Sequence, residues 1–367
     1  MSHELLFRAI DLPNLSLRNR LVMAPMTRSK AAGGVLKQSN IDYYSRRAEG
    51  GIGLIISEGA CINHAAASGY PDVPFIGRDD TLEGWKQLAA TLKTFDTALM
   101  PQLWHVGGVR KPGVEPGGKL PGYSPSGLAA PHKMVGKAMD LEDIEQTIQA
   151  YADAALQARQ AGCAGVEIHG AHGYLIDQFF WSETNLRKDR YGGDLQSRST
   201  FAIEVIAAIR RAVGADFAIS FRFSQWKQQD YSARLCQTPE ELGRFVRPLA
   251  EAGVDIFHCS TRRFWEPEFE GSPLNLAGWV KQLTGKPTIT VGSVGLNADF
   301  LPRSGGEAFR EAGAADLDEL ISRLHRDEFD LVGVGRALIA NPDWANKVRD
   351  GRFSELEGFS QTMLGSL

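Results

Sequence analysis

The chain has 367 residues, 43% of them hydrophobic and 23% charged, and its 44 acidic and 40 basic side chains leave a formal net charge of −4. That composition supports a large buried core and excludes an extended disordered chain. Without a long basic block, it argues against nucleic acid or an anionic membrane as partner.

The segment before residue 20 (LFRAIDLPNLSLRNR) reads as a small hairpin. Short apolar strands then alternate with helical segments. The strands fall at 20–25, 53–58, 99–104, 164–169, 217–223, 254–259, 287–292 and 330–334. The helices fall at 39–49, 81–95, 141–161, 196–213, 239–252, 274–284, 307–326 and 341–350. Eight β/α pairs over about 250 residues or more predict an α/β fold, a (β/α)8 TIM barrel of parallel strands. The chain, 1–367, is then one domain, with the hairpin plugging the barrel's bottom. An open doubly wound sheet would carry a G-x-G-x-x-G turn after its first strand; PMTRSK stands there instead. Long loops follow strand three (105–140) and strand six (260–273), at the barrel end where active sites are built.

Side chains alternate along a strand. In the fifth strand Phe217, Ile219, Phe221 and Phe223 face the helices, which leaves Ala218, Ser220 and Arg222 pointing inward. In the fourth, Val166 and Ile168 face out, Glu167 and His169 in, and His172 and Tyr174 follow at once. In the third, Met100, Gln102 and Trp104 share a face. Thr27, Gln102, His169 and Arg222 are too many inward polar groups for packing alone, and a buried guanidinium requires an electron-rich partner. Strands seven and eight end in VGSVG (Gly292, Ser293) and VGVGRAL (Gly333, Gly335, Arg336). Glycines there let backbone N–H groups approach a phosphate, which predicts a phosphorylated ligand without naming it.

Cys61, Cys163, Cys236 and Cys259 show no metal-ligand spacing and are expected as buried free thiols, with no metal. The start, MSHELLFRAIDLP, lacks the apolar run of a secretory signal, and no stretch of about 18 apolar residues offers a membrane span. The expected location is the cytoplasm, as a monomer or homodimer.

Seven motifs in order, APMTR at 24–28, IISEGA at 55–60, PQLWHVG at 101–107, GVEIHGAHGYLIDQF at 165–179, TNLRKDRYGG at 184–193, FRFS at 221–224 and GVGRALIANPDW at 333–344, resemble the Old Yellow Enzyme family of NADH:flavin oxidoreductases. The resemblance implies FMN as cofactor, NADPH or NADH as reductant, and small activated alkenes as substrates. It implies that Pro25, Met26 and Thr27 border the flavin ring, that Gly59 and Gln102 hold its polar edge, and that Arg222 lies by N1 and O2. Gly292, Ser293, Gly335 and Arg336 would bind the phosphate. His169 and His172 would donate to a substrate carbonyl, Tyr174 would protonate the α-carbon after hydride reaches the β-carbon, and turnover would be ping-pong. Trp104 would shape the pocket, whereas loop packing explains Tyr70, Phe264 and Trp265 equally well. The short tail after strand eight leaves one pocket wall unassigned.

Three rival functions use the same residues. A metal-dependent hydrolase would take Glu167, His169 and His172 as ligands. A Schiff-base aldolase needs a strand-borne buried lysine, and Lys227 and Lys286 are read as lying outside the strands. A non-catalytic flavin carrier needs only the cofactor contacts.

Overall fold

The computed structural model describes residues 3–134, 136–297 and 317–367. Eight parallel strands form its centre: β1 Leu21–Met23, β2 Leu54–Ile62, β3 Ala98–Trp104, β4 Gly165–His172, β5 Ala218–Lys227, β6 Ile256–Ser260, β7 Thr288–Val291 and β8 Leu331–Val334. Each pairs with the next, and β8 pairs with β1 (Val332 beside Leu21, Val334 beside Met23), so the sheet closes on itself. The barrel is the expected one.

Eight helices of the described residues surround the strands, some of them begun by a side-chain cap. They are α1 Gln38–Glu49, α2 Leu82–Lys93, α3 Leu141–Gln160, α4 Thr200–Val213, α5 Pro239–Ala252, α6 Leu276–Thr284, α7 Asp318–His325 and α8 Trp344–Arg349. Asp140 and Thr238 accept the backbone N–H three residues on and start α3 and α5, the latter with Pro239 in its first turn. Along α4, Phe201, Ala202, Val205, Ile206, Ile209 and Val213 make one buried stripe against the strands. The segment expected as one helix over 196–213 is two, because Ser199 turns its hydroxyl back to the Leu195 carbonyl and a separate turn Leu195–Arg198 precedes α4. The helix expected at 341–350 is preceded by a short one, Ala337–Ala340. Of the helix expected at 307–326, residues 307–316 lie outside the described residues.

Inside the barrel the side chains are layered. The lowest layer is apolar: Val22, Leu54, Ile56, Met100, Ala218, Ile256, Ile289 and Leu331 pack against Leu15 and Leu17 of an antiparallel N-terminal hairpin. This is the plug read from the sequence. Above it lies a polar layer around Glu167. Its carboxylate accepts from Gln102 Nε2 at 2.8 Å, Ser220 Oγ at 3.0 Å and His258 Nδ1 at 2.7 Å. Arg222 and His169 stand above that. Outside, Val166, Ile168, Ile219, Phe221 and Phe223 join the helix-facing core, as the alternation requires.

Three strands run three or more residues further than their sequences suggested. β2 continues through Gly59–Ile62, β4 through Gly170–His172, and β5 to Lys227. Lys227, read as lying outside the strands, is the last residue of β5. Its fully buried ammonium lies 2.5 Å from the fully buried carboxylate of Asp177, which also accepts the Gly173 N–H at 2.7 Å. Burial supplies the reason for the correction, since a polar run at a strand's end can stay in the sheet when its charge is matched by a neighbouring helix turn. All four cysteines are free and buried. No helix of the described residues is long and apolar enough to cross a membrane.

Removing one member of a buried ion pair strands the other. Asp177→Asn is expected to lower the unfolding free energy by about 3–5 kcal/mol, measured by urea denaturation; a loss below about 1 kcal/mol would show that the pair contributes little.

Candidate active site

A cavity of about 530 Å³ opens at the C-terminal ends of the strands, within the size range of cofactor and ligand sites. Every residue selected from the sequence lines it: Pro25, Met26 and Thr27 after β1, Gly59 on β2, Gln102 and Trp104 on β3, His169, His172 and Tyr174 at β4, Arg222 on β5, Gly292 and Ser293 after β7, and Gly335 and Arg336 after β8.

At one end stands an aromatic and imidazole cluster. The rings of His169 and His172 meet edge to face with centroids 5.1 Å apart, and Tyr174 lies 5.1 Å from His169 and 5.0 Å from Trp104. Tyr70 stacks on Trp104 at 5.4 Å, and its hydroxyl lies 3.1 Å from the Tyr174 hydroxyl, to which Gln228 Nε2 donates at 3.3 Å. The turn that carries His172 and Tyr174 is unusual. His172 has φ of 66°, a left-handed conformation that a side chain disfavours. Gly173, at φ 77°, has the Gln229 amide packed where a Cβ would project. Ser224 Oγ accepts the His172 N–H at 3.0 Å and Asp177 accepts that of Gly173, so the turn is held from two sides.

Burial dominates the electrostatics. The His169 imidazole is pushed down to about 3, by burial first and the Arg222 charge second. His172 is held well below its ordinary value, again by burial, then by Arg222 and His169. Both rings are neutral at physiological pH. Because His169 Nδ1 accepts the Ala171 N–H at 3.3 Å, its proton is on Nε2. Burial raises the Tyr174 phenol well above 10. Burial would also raise Glu167, but His258, Arg222 and the hydrogen bond from Gln102 outweigh it and hold the group below the usual carboxylate range. Arg222 is 8% exposed and makes no ion pair in contact; Nη2 donates to Ser260 Oγ at 3.3 Å, and Nε has no partner among the described residues.

The other end is built from backbone. Ser293, at φ 54°, and Gly292, at φ 148°, follow β7. Arg336 Nη2 donates to Ser293 Oγ at 3.4 Å. A Cβ added at Gly335 would meet only Met26 Sδ, at 3.7 Å, so this backbone faces open cavity. At the middle, Gly59 allows Trp104 to close in, since a Cβ there would lie 2.5 Å from the indole.

A family model described as "NADH:flavin oxidoreductase / NADH oxidase family" matches residues 5–355. The chain belongs to this family. It is the Old Yellow Enzyme family that the motifs resemble. The chain is 35% identical over 363 residues to an NADH oxidase of Thermoanaerobacter brockii, with 96% of this chain matched. It spans about half of that relative, 52% of its length. It is 37% identical over 367 residues to 12-oxophytodienoate reductase 7 of Oryza sativa subsp. japonica, across 94% of this chain and 87% of that protein. A structure of morphinone reductase in complex with tetrahydroNAD superimposes with a TM-score of 0.81 at 27% identity, covering 98% of this chain and 93% of the other. An Old Yellow Enzyme homologue from Zymomonas mobilis, at 24% identity, has the same fold with a TM-score of 0.80.

In this Old Yellow Enzyme family member, sequence reasoning missed part of the lining. Trp226, Gln228, Tyr231, Ser260, Thr261 and Arg262 also face the cavity, as do Phe359 and Leu364 of the tail, which form the wall left unassigned; Tyr70, which the sequence left open between pocket and packing, lines it too. Trp226, Gln228 and Ser260 were findable, because they continue the inward alternation of Arg222 on β5 and His258 on β6. Phe264 and Trp265 do not line the cavity and pack on one another. The loop 105–140 folds into short strand pairs away from it, and only residues 260–262 of the second loop reach it.

The loop bearing Thr27 hangs on Glu58. This carboxylate, 1% exposed, accepts the backbone N–H groups of Arg28 at 2.8 Å and Ser29 at 3.2 Å. Burial raises it to about 7, against those hydrogen bonds. A folded-state value above the unfolded one means that its stabilising contribution is full below about pH 4.5 and is lost as pH rises through 7. Glu58→Gln removes that slope. Relative to the native protein the variant is expected to gain about 3 kcal/mol of stability between about pH 4 and pH 8, read from urea melts at both values.

Proposed function

We propose that this chain is an FMN-dependent ene-reductase. NADH or NADPH reduces the flavin, and the C=C bond of an α,β-unsaturated carbonyl, nitroalkene or maleimide is then saturated in the same pocket, in ping-pong order. Arg222 carries the proposal. A buried guanidinium that, among the described residues, has no contacting carboxylate and no acceptor at Nε suits an electron-rich ring edge. The remaining donors suit FMN as well. Gln102 has its amide N–H engaged by Glu167, which leaves its carbonyl oxygen to accept from a ring N–H. Thr27 and Gly59 would border the ring's polar edge, and Pro25 and Met26 its face. Gly292, Ser293, Gly335 and Arg336 would hold the phosphate through backbone N–H groups and one guanidinium.

The chemistry that FMN would supply in this pocket is two-electron transfer, from a nicotinamide to the β-carbon of the alkene. Arg222 would stabilise negative charge at the ring's edge. His169 and His172, both neutral, donate to the substrate oxygen and draw charge from the β-carbon, so that enolate character develops against fixed donors. Tyr174 keeps its proton because burial opposes the phenolate, and releases it only to a carbon as basic as the developing α-carbanion. Delivery from opposite faces gives trans addition. Tyr70 and Gln228, in contact with the Tyr174 hydroxyl, are placed to steady the oxygen left behind.

The rival chemistries fit this geometry less well. Both Glu167 oxygens are engaged one layer below the cavity, so a metal bound by His169 and His172 would lack that carboxylate. Lys227 is strand-borne and buried, but it is sealed by Asp177 and does not line the cavity. A mere flavin carrier would have no use for a donor pair beside a phenol.

The purified protein is expected to be yellow and to release about one equivalent of FMN on denaturation; protein that takes up no FMN from excess would overturn the proposal. Tyr174→Phe is expected to leave flavin reduction by nicotinamide intact and to slow flavin reoxidation by cyclohexenone by about 10²-fold or more in stopped flow. Equal loss in both half-reactions would remove Tyr174 from the proton-donor role.

A further inference from the structure

We propose that Ser260, on β6, is a positioning residue that fixes the tautomer of His172, so that this imidazole offers Nδ1–H, and not Nε2–H, to the ligand. Two groups contact Ser260 Oγ among the described residues: Arg222 Nη2 at 3.3 Å and His172 Nε2 at 2.8 Å. A guanidinium can only donate, whereas a serine hydroxyl holds one proton and accepts twice. With Arg222 occupying an acceptor site, the hydroxyl proton has one protein acceptor in reach, and that is Nε2. The opposite tautomer would aim two donors at Oγ and leave a hydroxyl that is 2% exposed with no protein acceptor.

The ring is held in this orientation. Trp226 stacks on His172 with centroids 4.7 Å apart and planes 26° from parallel, and its Nε1–H donates to the Ser260 carbonyl at 3.2 Å. Ser224 fixes the His172 backbone from the other side. A doubly protonated ring is opposed by burial and by the Arg222 charge. The chain Arg222, Ser260, His172 therefore runs in one direction, each member donating to the next. A cation donating to Oγ makes the hydroxyl a stronger donor, which in turn makes Nδ1–H a stronger donor toward the cavity.

The two histidines thus present different nitrogens, Nε2–H from His169 and Nδ1–H from His172. Ser260 acts through His172, and its benefit to catalysis rests on the ene-reductase reading; the tautomer assignment does not.

The experiment uses protein loaded with FMN and labelled with ¹⁵N-histidine. The His172 resonances are assigned by their loss in His172→Gln, and 4-hydroxybenzaldehyde is titrated through the flavin spectrum. Native protein is expected to show a protonated Nδ1 and a bare Nε2 at His172. Ser260→Ala should shift His172 toward Nε2–H, leave the His169 pattern in place, and weaken the aldehyde about tenfold. Ser260→Thr, which keeps the hydroxyl, should restore both. A native ring protonated at Nε2, or a tautomer unmoved in Ser260→Ala, overturns the assignment. A moved tautomer with unchanged aldehyde affinity overturns the role in recognition. If native protein takes up no FMN, the ene-reductase reading fails, and the same spectra on FMN-free protein still decide the tautomer.

Discussion

The arrangement depends on keeping a guanidinium charged near the axis of a closed barrel. Among the described residues Arg222 has no carboxylate in contact; its charge is favoured from below by Glu167, whose own ionised form is favoured against burial by His258, Arg222 and the hydrogen bond from Gln102. Burial works against both charges, and each favours the charged form of the other. This pair of charges, one layer apart, orders the polar middle of the barrel. It turns the Gln102 amide and presents a cationic edge toward the cavity, and its Arg222 charge adds to burial in keeping His169 and His172 neutral. The apolar floor of Val22, Ile56, Met100 and Ile289 with the hairpin leucines keeps water from reaching the charges from below.

At the barrel's top the segments that carry site residues are each tied by a different device. Glu58 holds the segment after β1 by two backbone N–H groups. The buried Asp177–Lys227 pair secures the turn after β4 to the end of β5. Ser293 and Arg336 join the turns after β7 and β8. These ties set the donors on rigid strand ends, and the aromatic residues Trp104, Tyr70 and Trp226 fill the spaces between them.

Most of the barrel was legible in the sequence because its signal is local. Strand alternation alone separates Ile219, Phe221 and Phe223 from Ser220 and Arg222, and the structure places both sets as read. The motifs located the site, since glycine and polar residues at strand ends have few structural uses there. What escaped notice depends on long-range contacts. Lys227 looks like a loop lysine until Asp177, on another element, is brought beside it. Tyr70 reads equally as a packing or a pocket residue until Trp104 stacks on it. The contribution of Phe359 and Leu364 follows from where the tail crosses the barrel mouth, which no local pattern records. The loop 105–140 misled in the other direction, because its length and glycine content suggested a role in the pocket and it folds on itself instead.

The seam between β1 and β8 has a consequence for how the molecule is made. Arg20 bonds to Asp330 across 310 positions of sequence, so the ring is sealed by one of the most distant pairings in the chain, and distant pairings form slowly. Until the eighth strand emerges from the ribosome, β1 presents an unpaired edge and the hairpin's leucines have an incomplete socket. During synthesis, therefore, the hazard lies at the beginning of the chain, where an open strand must stay clear of its neighbours until the last one arrives to cover it.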